Sequence, residues 1–138
     1  MTYALDTNII SYLIRDDEAT TRRFEQEIIL DNHSYVIPPV AVFEILRWLQ
    51  EYKSPPYQAL AASFNALYLD VRDQALMLAP AWEKAAEIYL HLKKKGQLIE
   101  EADILVAAYC LVNDYTLVTN NSKHFSRIDG LKLVNWKE

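Results

Sequence analysis

Short apolar runs alternate with longer helical patterns along this sequence, and this alternation constrains the fold more than any other feature. It is typical of an α/β protein with a parallel sheet. Strands are predicted at 3–5, 34–37, 67–71, 115–119 and 131–134. Helices are predicted at 8–14 and 18–30 with a break near Asp16 and Asp17, and at 38–52, 56–66, 81–95, 100–112 and 122–125. We therefore expect a mostly parallel sheet of about five strands with helices packed against it.

Length and charge fit a small globular protein and bear on its partners. The 138 residues suit a single domain spanning 1–138. The formal net charge of −5 argues against a protein that is held on nucleic acid by a global basic field. It does not argue against a nuclease, because metal ions neutralise the carboxylates of such a site locally.

The N-terminus, the apolar runs and the cysteine content predict a cytoplasmic protein. Asp6 interrupts the N-terminus before the apolar core of a signal peptide could form. The longest apolar run, 104–112, is far shorter than the ~20 residues that a membrane-spanning helix needs. The single cysteine, Cys110, excludes an internal disulfide and a multi-cysteine metal cluster, which fits a reducing compartment. We therefore expect a cytoplasmic location and no membrane segment.

Common cofactor and metal motifs are missing from the sequence. With only two glycines, Gly96 and Gly130, the chain has neither a GxGxxG motif nor a P-loop. The three histidines lack the spacing of zinc ligands. A zinc site and a glycine-rich phosphate loop are therefore not expected.

Four polar side chains are expected at one edge of the sheet. Asp6 ends the first strand, and Asn121 follows the 115–119 strand within the sequence TNN. Glu44 lies among apolar neighbours in the helix after the second strand, and Asp103 lies in the first turn of its own helix. Ligands of parallel sheets bind beyond the carboxyl ends of the strands, where the strand order reverses. These four side chains can therefore meet in one site.

Each of these residues also has a structural explanation, which for Glu44 is that a charge within an apolar run reaches the protein surface. Asp6 can act as the N-cap of the helix that follows it. Glu100 and Glu101 compete with Asp103 for a capping role, and Asn121 alone is an ordinary loop asparagine. As a group, however, Asp, Glu and Asn oxygens are the ligands that Mg²⁺ or Mn²⁺ prefers. Such an ion can activate water and orient a phosphodiester.

Four stretches of the sequence resemble the PIN-domain ribonucleases, and in particular the VapC-type toxins of toxin–antitoxin systems. The stretches are LDTNIISYLI, VAVFEIL, EADILVAAYC and LVTNNSKHFSRIDGLKLVNW. They span the whole chain in the order and spacing of that family, and the last stretch is the most specific. The resemblance implies a three-layer α/β/α PIN-like domain that acts as a metal-dependent endoribonuclease, with Mg²⁺ or Mn²⁺ as cofactor.

The resemblance also implies roles for individual residues. Asp6, Glu44 and Asp103 match the metal-binding acids of the family, and Asn121 stands where many members have a fourth acid. Because an amide carries no charge, the site holds about −3 instead of about −4, and we expect weaker binding of a second ion. The side chains expected to hydrogen-bond and aim the carboxylates are Thr7, Asn8, Thr119 and Asn120. Candidates for phosphate contacts are Arg15, Arg47, Lys123, His124 and Arg127.

The partners implied by the resemblance are an RNA substrate (tRNA or another structured RNA), a cognate antitoxin, and a second copy of the chain in a homodimer. The antitoxin is expected in an apolar groove walled by Trp48, Leu49 and Tyr52 and by the helices at 8–30. Two other interpretations stay open. One is a catalytically silent module of the same fold that binds RNA or protein. The other is an α/β phosphatase with Asp6 as nucleophile, although Asn8 stands where such enzymes usually carry a second aspartate.

Overall fold

Four parallel strands form the central sheet in the described residues, 1–51 and 57–138, of the computed structural model of this protein. They are β1 (Thr2–Leu5), β2 (Ser34–Val36), β3 (Thr116–Val118) and β4 (Leu133–Val134). In the centre of the sheet, Tyr3 of β1 is paired with Tyr35 of β2 on one side and with Thr116 of β3 on the other. The strand order β2-β1-β3-β4 therefore reverses at β1, which favours a crevice beyond its carboxyl end.

Helices connect the strands and cover the sheet. They are α1 (Thr7–Ile14), α2 (Glu18–Phe24), α3 (Pro39–Glu51), α4 (Tyr57–Leu69), α5 (Ala79–Lys94), α6 (Glu101–Asn113) and α7 (Ser122–Phe125). A π-helical stretch, Glu25–Leu30, continues α2, and a short 3₁₀ turn occupies Arg72–Gln74. No helix in the described part of the chain combines the length and the apolar character that crossing a membrane requires.

Alternate residues of β1 point into two separate cores, as expected for a strand that is buried on both faces. Tyr3 and Leu5 belong to a cluster with side chains of α1, α3 and α4 and with Trp136 near the C-terminus. Ala4 belongs to a second cluster, which contains Leu117 of β3 and side chains of α5 and α6. The sheet is therefore the middle layer, and the predicted α/β/α arrangement is confirmed.

The predicted break between the first two helices is confirmed. Asp16 adopts a left-handed backbone conformation with φ of +57°, which aspartate tolerates better than most residues. Asp17 then begins α2 as its N-cap, because its side chain accepts the Thr20 N–H at 3.1 Å and the Thr20 hydroxyl at 2.8 Å. Lys137 Nζ lies 2.6 Å from Asp17 Oδ1, so the C-terminal segment is tied to this junction.

The predicted strand at 67–71 is wrong, and the sheet has four strands in the described residues instead of about five. Residues 67–69 form the last turn of α4. Phe64 and Tyr68 are one helical turn apart, pack in the core and stack their rings at a centroid distance of 5.3 Å. Their spacing is helical, and a five-residue apolar run alone cannot distinguish a helix from a strand.

The remaining helices differ from the predictions mainly at their ends. The helix α5 begins at Ala79 rather than at residue 81, and Pro80 lies in its first turn, where a missing N–H is tolerated. Gly96, with φ of +67°, follows the end of that helix as predicted, and its N–H donates to the Lys93 carbonyl. The predicted helix end at Tyr52 and the predicted start near 54–56 lie outside the described residues.

Candidate active site

Asp6 lies at the junction of β1 and α1, beyond the carboxyl end of the central strand. Its backbone N–H donates to the Val118 carbonyl at 3.0 Å, which extends the pairing of β1 with β3. Its Oδ1 accepts the Thr7 N–H at 2.9 Å, so Asp6 is the N-cap of α1 as the structural alternative predicts. Only 5 % of Asp6 is exposed. A buried carboxylate needs further hydrogen bonds or a positive charge to offset the loss of hydration.

A cleft of about 410 Å³ opens beside Asp6. Glu44 from α3, Asp103 from the first turn of α6 and Asn121 from the loop after β3 line this cleft together with Asp6. The four side chains that the sequence places at one edge of the sheet are therefore neighbours in the structure. The other lining residues are Thr7, Asn8, Ser11, Ile45, Arg47 and Trp48.

Two residues of the cleft lining, Ser11 and Ile45, are missed by sequence reasoning. Ser11 follows Thr7 by four residues on α1, so helical periodicity places both on one face and could have identified it. Ile45 follows Glu44 and is almost completely buried, so its contribution to the cleft depends on packing that the sequence pattern does not show.

Thr119, in the loop directly after β3, holds the Asp6 carboxylate in place. It is fully buried, and its hydroxyl donates to Asp6 Oδ2 at 2.8 Å. The same hydroxyl oxygen accepts the Asn121 N–H at 2.9 Å, and the Asn8 amide donates to Asp6 Oδ2 at 3.3 Å. Asp6 Oδ2 is therefore satisfied by these two donors, whereas Oδ1 retains a lone pair after it accepts the helix N–H.

Three further polar contacts join the segments around the cleft. Thr7 Oγ1 donates to Glu44 Oε1 at 2.7 Å, which links α1 to α3. The Asn120 N–H donates to Asn8 Oδ1 at 3.1 Å, and the Asn120 amide donates to the Tyr12 hydroxyl at 3.3 Å. In these contacts the Asn120 side chain does not bond to an acid. Its backbone N–H bonds to Asn8, which in turn donates to Asp6.

Burial and like charges raise the pKa values of two acids in the cleft. Burial raises the pKa of Asp6 to about 6, and the Asp103 and Glu44 carboxylates add to this effect, while hydrogen bonds from neighbouring donors oppose it. Burial also raises the pKa of Asp103, with the hydrogen bond to His124 acting in the opposite direction. The cleft therefore concentrates negative charge that a divalent cation can neutralise.

Asn121 presents its amide nitrogen to the neighbouring acid. Its Nδ2 lies 3.5 Å from Asp103 Oδ2 and 3.1 Å from His124 Nδ1. His124 Nδ1 is itself 3.6 Å from the same Asp103 oxygen. An aspartate at position 121 would place a second carboxylate against Asp103, whereas the amide offers it a donor.

These elements and residues match a known family. The family profile described as PIN domain matches residues 3–131. This chain belongs to the PIN domain family. Ribonuclease VapC2 of Rickettsia felis is 29 % identical to it over 136 residues, which cover 99 % of this chain and 98 % of that protein. The tRNA(fMet)-specific endonuclease VapC of Shigella flexneri is 25 % identical, and the match covers 97 % of each chain.

A solved structure has the same architecture as this PIN domain. The structure is the crystal structure of VapBC2 from Rickettsia felis bound to a DNA fragment from their promoter. The matching chain is 26 % identical and has a TM-score of 0.80, with 99 % of each chain covered. The resemblance to VapC-type PIN domains that the sequence motifs indicate is therefore confirmed.

The residue types in the cleft of this PIN domain fit a divalent metal ion. Carboxylates and an amide line it, and oxygen atoms are the ligands that Mg²⁺ takes. Within residues 1–51 and 57–138, no three side chains of the Asp, Glu, His or Cys types are arranged to hold one ion together. Because Mg²⁺ usually binds through one or two carboxylates and keeps several waters, this spacing suits a water-rich site.

Three of the residues predicted to contact phosphate lie at or beside the cleft of the PIN domain. Arg47 is part of its lining. His124 contacts Asn121, and Lys123 precedes it on α7, the helix that follows Asn121. Local positive charge is therefore available next to the acids.

The other two predicted phosphate contacts, Arg15 and Arg127, are not part of the cleft lining. Arg15 Nε donates to the Ser11 carbonyl of its own helix at 3.1 Å. Arg127 donates to the Gln97 and Leu98 carbonyls at 3.4 Å each and so joins the segment after α7 to the α5–α6 connection.

The antitoxin groove predicted at Trp48, Leu49 and Tyr52 and at the helices at 8–30 stays a prediction, except at Leu49. Trp48 lines the cleft. The prediction for Leu49 is wrong, because this residue is 5 % exposed and belongs to the core on the inner face of α3. Consecutive residues of a helix point about 100° apart, so Trp48 and Leu49 cannot both face one groove squarely. Tyr52 lies outside the described residues.

Proposed function

We propose that this chain, as a single PIN domain spanning 1–138, is a Mg²⁺-dependent endoribonuclease that hydrolyses RNA phosphodiester bonds, with Mn²⁺ as an alternative cofactor. The observation that carries the proposal is the convergence of Asp6, Glu44, Asp103 and Asn121 on one cleft. The names of the relatives, a ribonuclease and a tRNA(fMet)-specific endonuclease, support RNA as the substrate class. The proposed target is tRNA or another structured RNA.

In this proposal Asp6, Glu44 and Asp103 hold the metal ion, not all of them directly but in part through its bound waters, and Asn121 completes the site. Asp6 is the central ligand, because its Oδ1 keeps a lone pair and its side chain is fixed by three donors. Mg²⁺, when bound, supplies activation of the attacking water and neutralises charge at the phosphodiester. The downstream product is expected to carry a 5′-phosphate.

Hydrogen bonds within the chain prepare these acids for their role. The bonds from Thr119 and from the Thr7 N–H favour the charged form of Asp6 and lower its pKa against the effect of burial. The Thr7 hydroxyl orients Glu44. Above pH ~6, Asp6 is therefore mostly ionised and able to bind a cation.

We also propose that this PIN domain is the toxin of a toxin–antitoxin pair, that it acts in the cytoplasm and that it forms a homodimer. The match to the VapBC2 structure over 99 % of this chain supports a cognate antitoxin. Copurification of a small partner protein, with nuclease activity that appears only after its removal, tests this role. Full activity in the presence of every copurifying protein contradicts it.

A catalytically silent module that binds RNA or protein is the second candidate function. The contact of the Asn121 amide nitrogen with Asp103 favours it. A hydrogen-bond donor then stands at the position where many members of the family have a fourth acid. The phosphatase alternative has less support. Asn8, in the place of the second aspartate of such enzymes, donates its amide to Asp6.

Cleavage of total RNA by the purified full chain, freed of any bound antitoxin, tests the nuclease proposal. Reactions contain Mg²⁺, Mn²⁺ or EDTA and compare the wild type with Asp6→Asn. The matched control is Asp114→Asn, since Asp114 is exposed and has φ of +56°, a conformation that asparagine tolerates. We expect discrete fragments that vanish with EDTA and with Asp6→Asn and persist with Asp114→Asn.

Two other results of this experiment contradict the nuclease proposal. Intact RNA under every condition, without metal binding, favours the silent module. Hydrolysis of a small phosphate ester without RNA cleavage favours the phosphatase.

A further inference from the structure

Phe43 is an exposed aromatic residue at the rim of the cleft. It lies on α3 directly before Glu44, and 60 % of it is exposed. Its neighbours Val42 and Ile45 on the same helix are buried in the core. Leu46, three residues further along the same helix, is 43 % exposed as well. Scattered exposed apolar side chains are common on protein surfaces, so the contacts made by Phe43 must show whether it has a role in binding.

The guanidinium of Arg47 lies over the Phe43 ring, with Cζ 5.2 Å from the ring centroid. The two residues are four apart on α3 and are therefore neighbours on the helix surface. Arg47 also lines the cleft. Within the part of the chain that the structure describes, no other basic residue belongs to that lining. The ring and the guanidinium thus form one surface that is continuous with the cleft.

The geometry of α3 explains this continuity. Successive helical residues are about 100° apart, so Arg47 is about 40° around the helix from Phe43, Glu44 about 100° and Trp48 about 140°. Arg47, Glu44 and Trp48 line the cleft, whereas Phe43 is not part of its lining. Phe43 therefore lies next to the cleft wall around the helix axis, beside Arg47.

The charge of the protein makes such a surface useful for RNA. The chain carries a net charge of −5, and three acids line the cleft, so a polyanion is not drawn in by a global field. Binding must then rely on local cations and on contacts that do not depend on charge. Stacking of a nucleobase on an aromatic ring is such a contact, and arginine adds both stacking and phosphate recognition.

We infer that Phe43 and Arg47 form a subsite for a nucleotide next to the scissile phosphate. An unpaired nucleobase stacks on the Phe43 ring, and Arg47 contacts the adjoining phosphate. The base must be unpaired, because a paired base is stacked within its own helix and cannot cover a protein ring. This inference rests on the proposed function and assigns the residues that hold one unpaired nucleotide beside the scissile phosphate.

A double-mutant cycle between protein and RNA tests the subsite. The full chain with Asp6→Asn, which is expected to bind without cleaving, is titrated in Mg²⁺ with a labelled single-stranded RNA of about 12 nucleotides. The titration is repeated with RNAs that lack the base at each position in turn. The same series is then run with Asp6→Asn combined with Phe43→Ala.

We expect Phe43→Ala to weaken binding roughly 5- to 150-fold, the range of one base–aromatic stack. Removal of one particular base is expected to weaken binding by a similar factor, and the two changes together no further than either alone. Phe43→Leu is expected to behave like Phe43→Ala, and Phe43→Trp like phenylalanine. The matched control is Trp82→Ala, which removes another exposed aromatic side chain, outside the cleft lining, and leaves the affinity unchanged.

The outcomes separate the subsite from the nuclease proposal. Coupling between Phe43 and one base supports the subsite even if the wild type cleaves no RNA. RNA cleavage by the wild type without such coupling overturns the subsite and leaves the nuclease proposal intact. A dimer that becomes a monomer on Phe43→Ala, at unchanged RNA affinity, also overturns it and assigns Phe43 to an interface between copies.

Discussion

Asp6 and Asp17 are the N-caps of consecutive helices, and the pKa values of their carboxyl groups are shifted in opposite directions. Each caps its helix by accepting a backbone N–H, from Thr7 and from Thr20 respectively. The pKa of Asp17 is lowered to about 2, first by the hydrogen bond from Lys137. The pKa of Asp6 is raised to about 6, first by burial. The same residue type in the same local role therefore meets two different electrostatic environments.

The difference between the two caps lies in burial and in the sign of the neighbouring charges. Lys137 Nζ is 2.6 Å from Asp17 Oδ1 at the protein surface. The charged side chains that shift the pKa of Asp6 are Asp103 and Glu44, which are acids themselves. A buried carboxylate beside other acids requires a counter-charge from elsewhere. In the proposed function a divalent cation in the cleft provides this counter-charge.

The largest expected effect is the loss of RNA cleavage when Asp6 is neutralised. Asp6→Asn removes the central ligand and is expected to lower activity more than about 100-fold, beyond the range seen for residues that only support a ligand. Asp17→Asn, the same change at the other helix cap, is expected to keep activity near the wild-type level. Initial rates of RNA cleavage in Mg²⁺ measure both. Equal losses in the two variants would mean that capping, and not the cleft, accounts for the effect.

Stability without metal is expected to change in opposite directions in these two variants. The pKa of Asp6 rises from 3.8 to about 6 on folding, so its favourable contribution is complete below pH ~4 and is lost as the pH rises through 6. Asp6→Asn is therefore expected to raise the free energy of unfolding near pH 8 by about 2–3 kcal/mol at most, and by almost nothing below pH ~4.

For Asp17 the sign is reversed, because its pKa is lowered on folding. Its contribution is present above its ordinary pKa and is lost as the pH falls towards 2, so Asp17→Asn is expected to destabilise the protein at neutral pH. Urea unfolding in EDTA between pH ~2 and ~8 measures both variants. A difference between wild type and Asp6→Asn that does not vary with pH would contradict the account of Asp6.

Removal of the Thr119 hydroxyl is expected to have an intermediate effect. Thr119→Val keeps the shape of the buried side chain and removes the donor to Asp6 Oδ2. Residues that orient a metal ligand typically contribute 10- to 100-fold in affinity, so Mn²⁺ binding is expected to weaken by about that factor. Thr116→Val changes another buried threonine, on β3, and is the matched control. Calorimetric titration compares the two variants, and equal affinities would remove Thr119 from the account.

The smallest expected effect concerns Asn121. Asn121→Asp adds a carboxylate beside Asp103, which is expected to tighten binding of a second metal ion by about fivefold, equivalent to about 1 kcal/mol. In EDTA the same variant is expected to be less stable than wild type where both acids are ionised, because two carboxylates then face each other without a cation. Metal titration and urea unfolding measure the two effects. An aspartate that does not tighten metal binding would contradict the role proposed for position 121.

The location of the site could be predicted from the sequence because strand ends are easy to recognise. Asp6 and Thr119 directly follow short apolar runs, and the carboxyl ends of parallel strands share one edge of the sheet. The hydrogen bond between these two residues then follows from the pairing of β1 with β3. Asp103 is recognisable for a similar reason, since its place in the first turn of α6 is set by the start of an apolar helix.

Other features depend on packing, which a local pattern does not specify. The run at 67–71 is apolar enough for a strand, and its helical state is decided by the contact between Phe64 and Tyr68. Leu49 and Trp48 are both apolar neighbours in sequence, and only the orientation of α3 shows which one reaches the cleft. The direction of the Asn121 amide depends on Asp103 and is likewise set by tertiary structure.

Titration of the metal-free protein with Mn²⁺ near neutral pH tests the central claim most directly, which is that a divalent cation balances the buried charge of Asp6. Calorimetry on the wild type, Asp6→Asn and Asp17→Asn is sufficient. We expect saturable binding to the wild type and to Asp17→Asn, and no binding to Asp6→Asn. Binding that survives Asp6→Asn unchanged, or no binding to any of the three proteins, would contradict the claim.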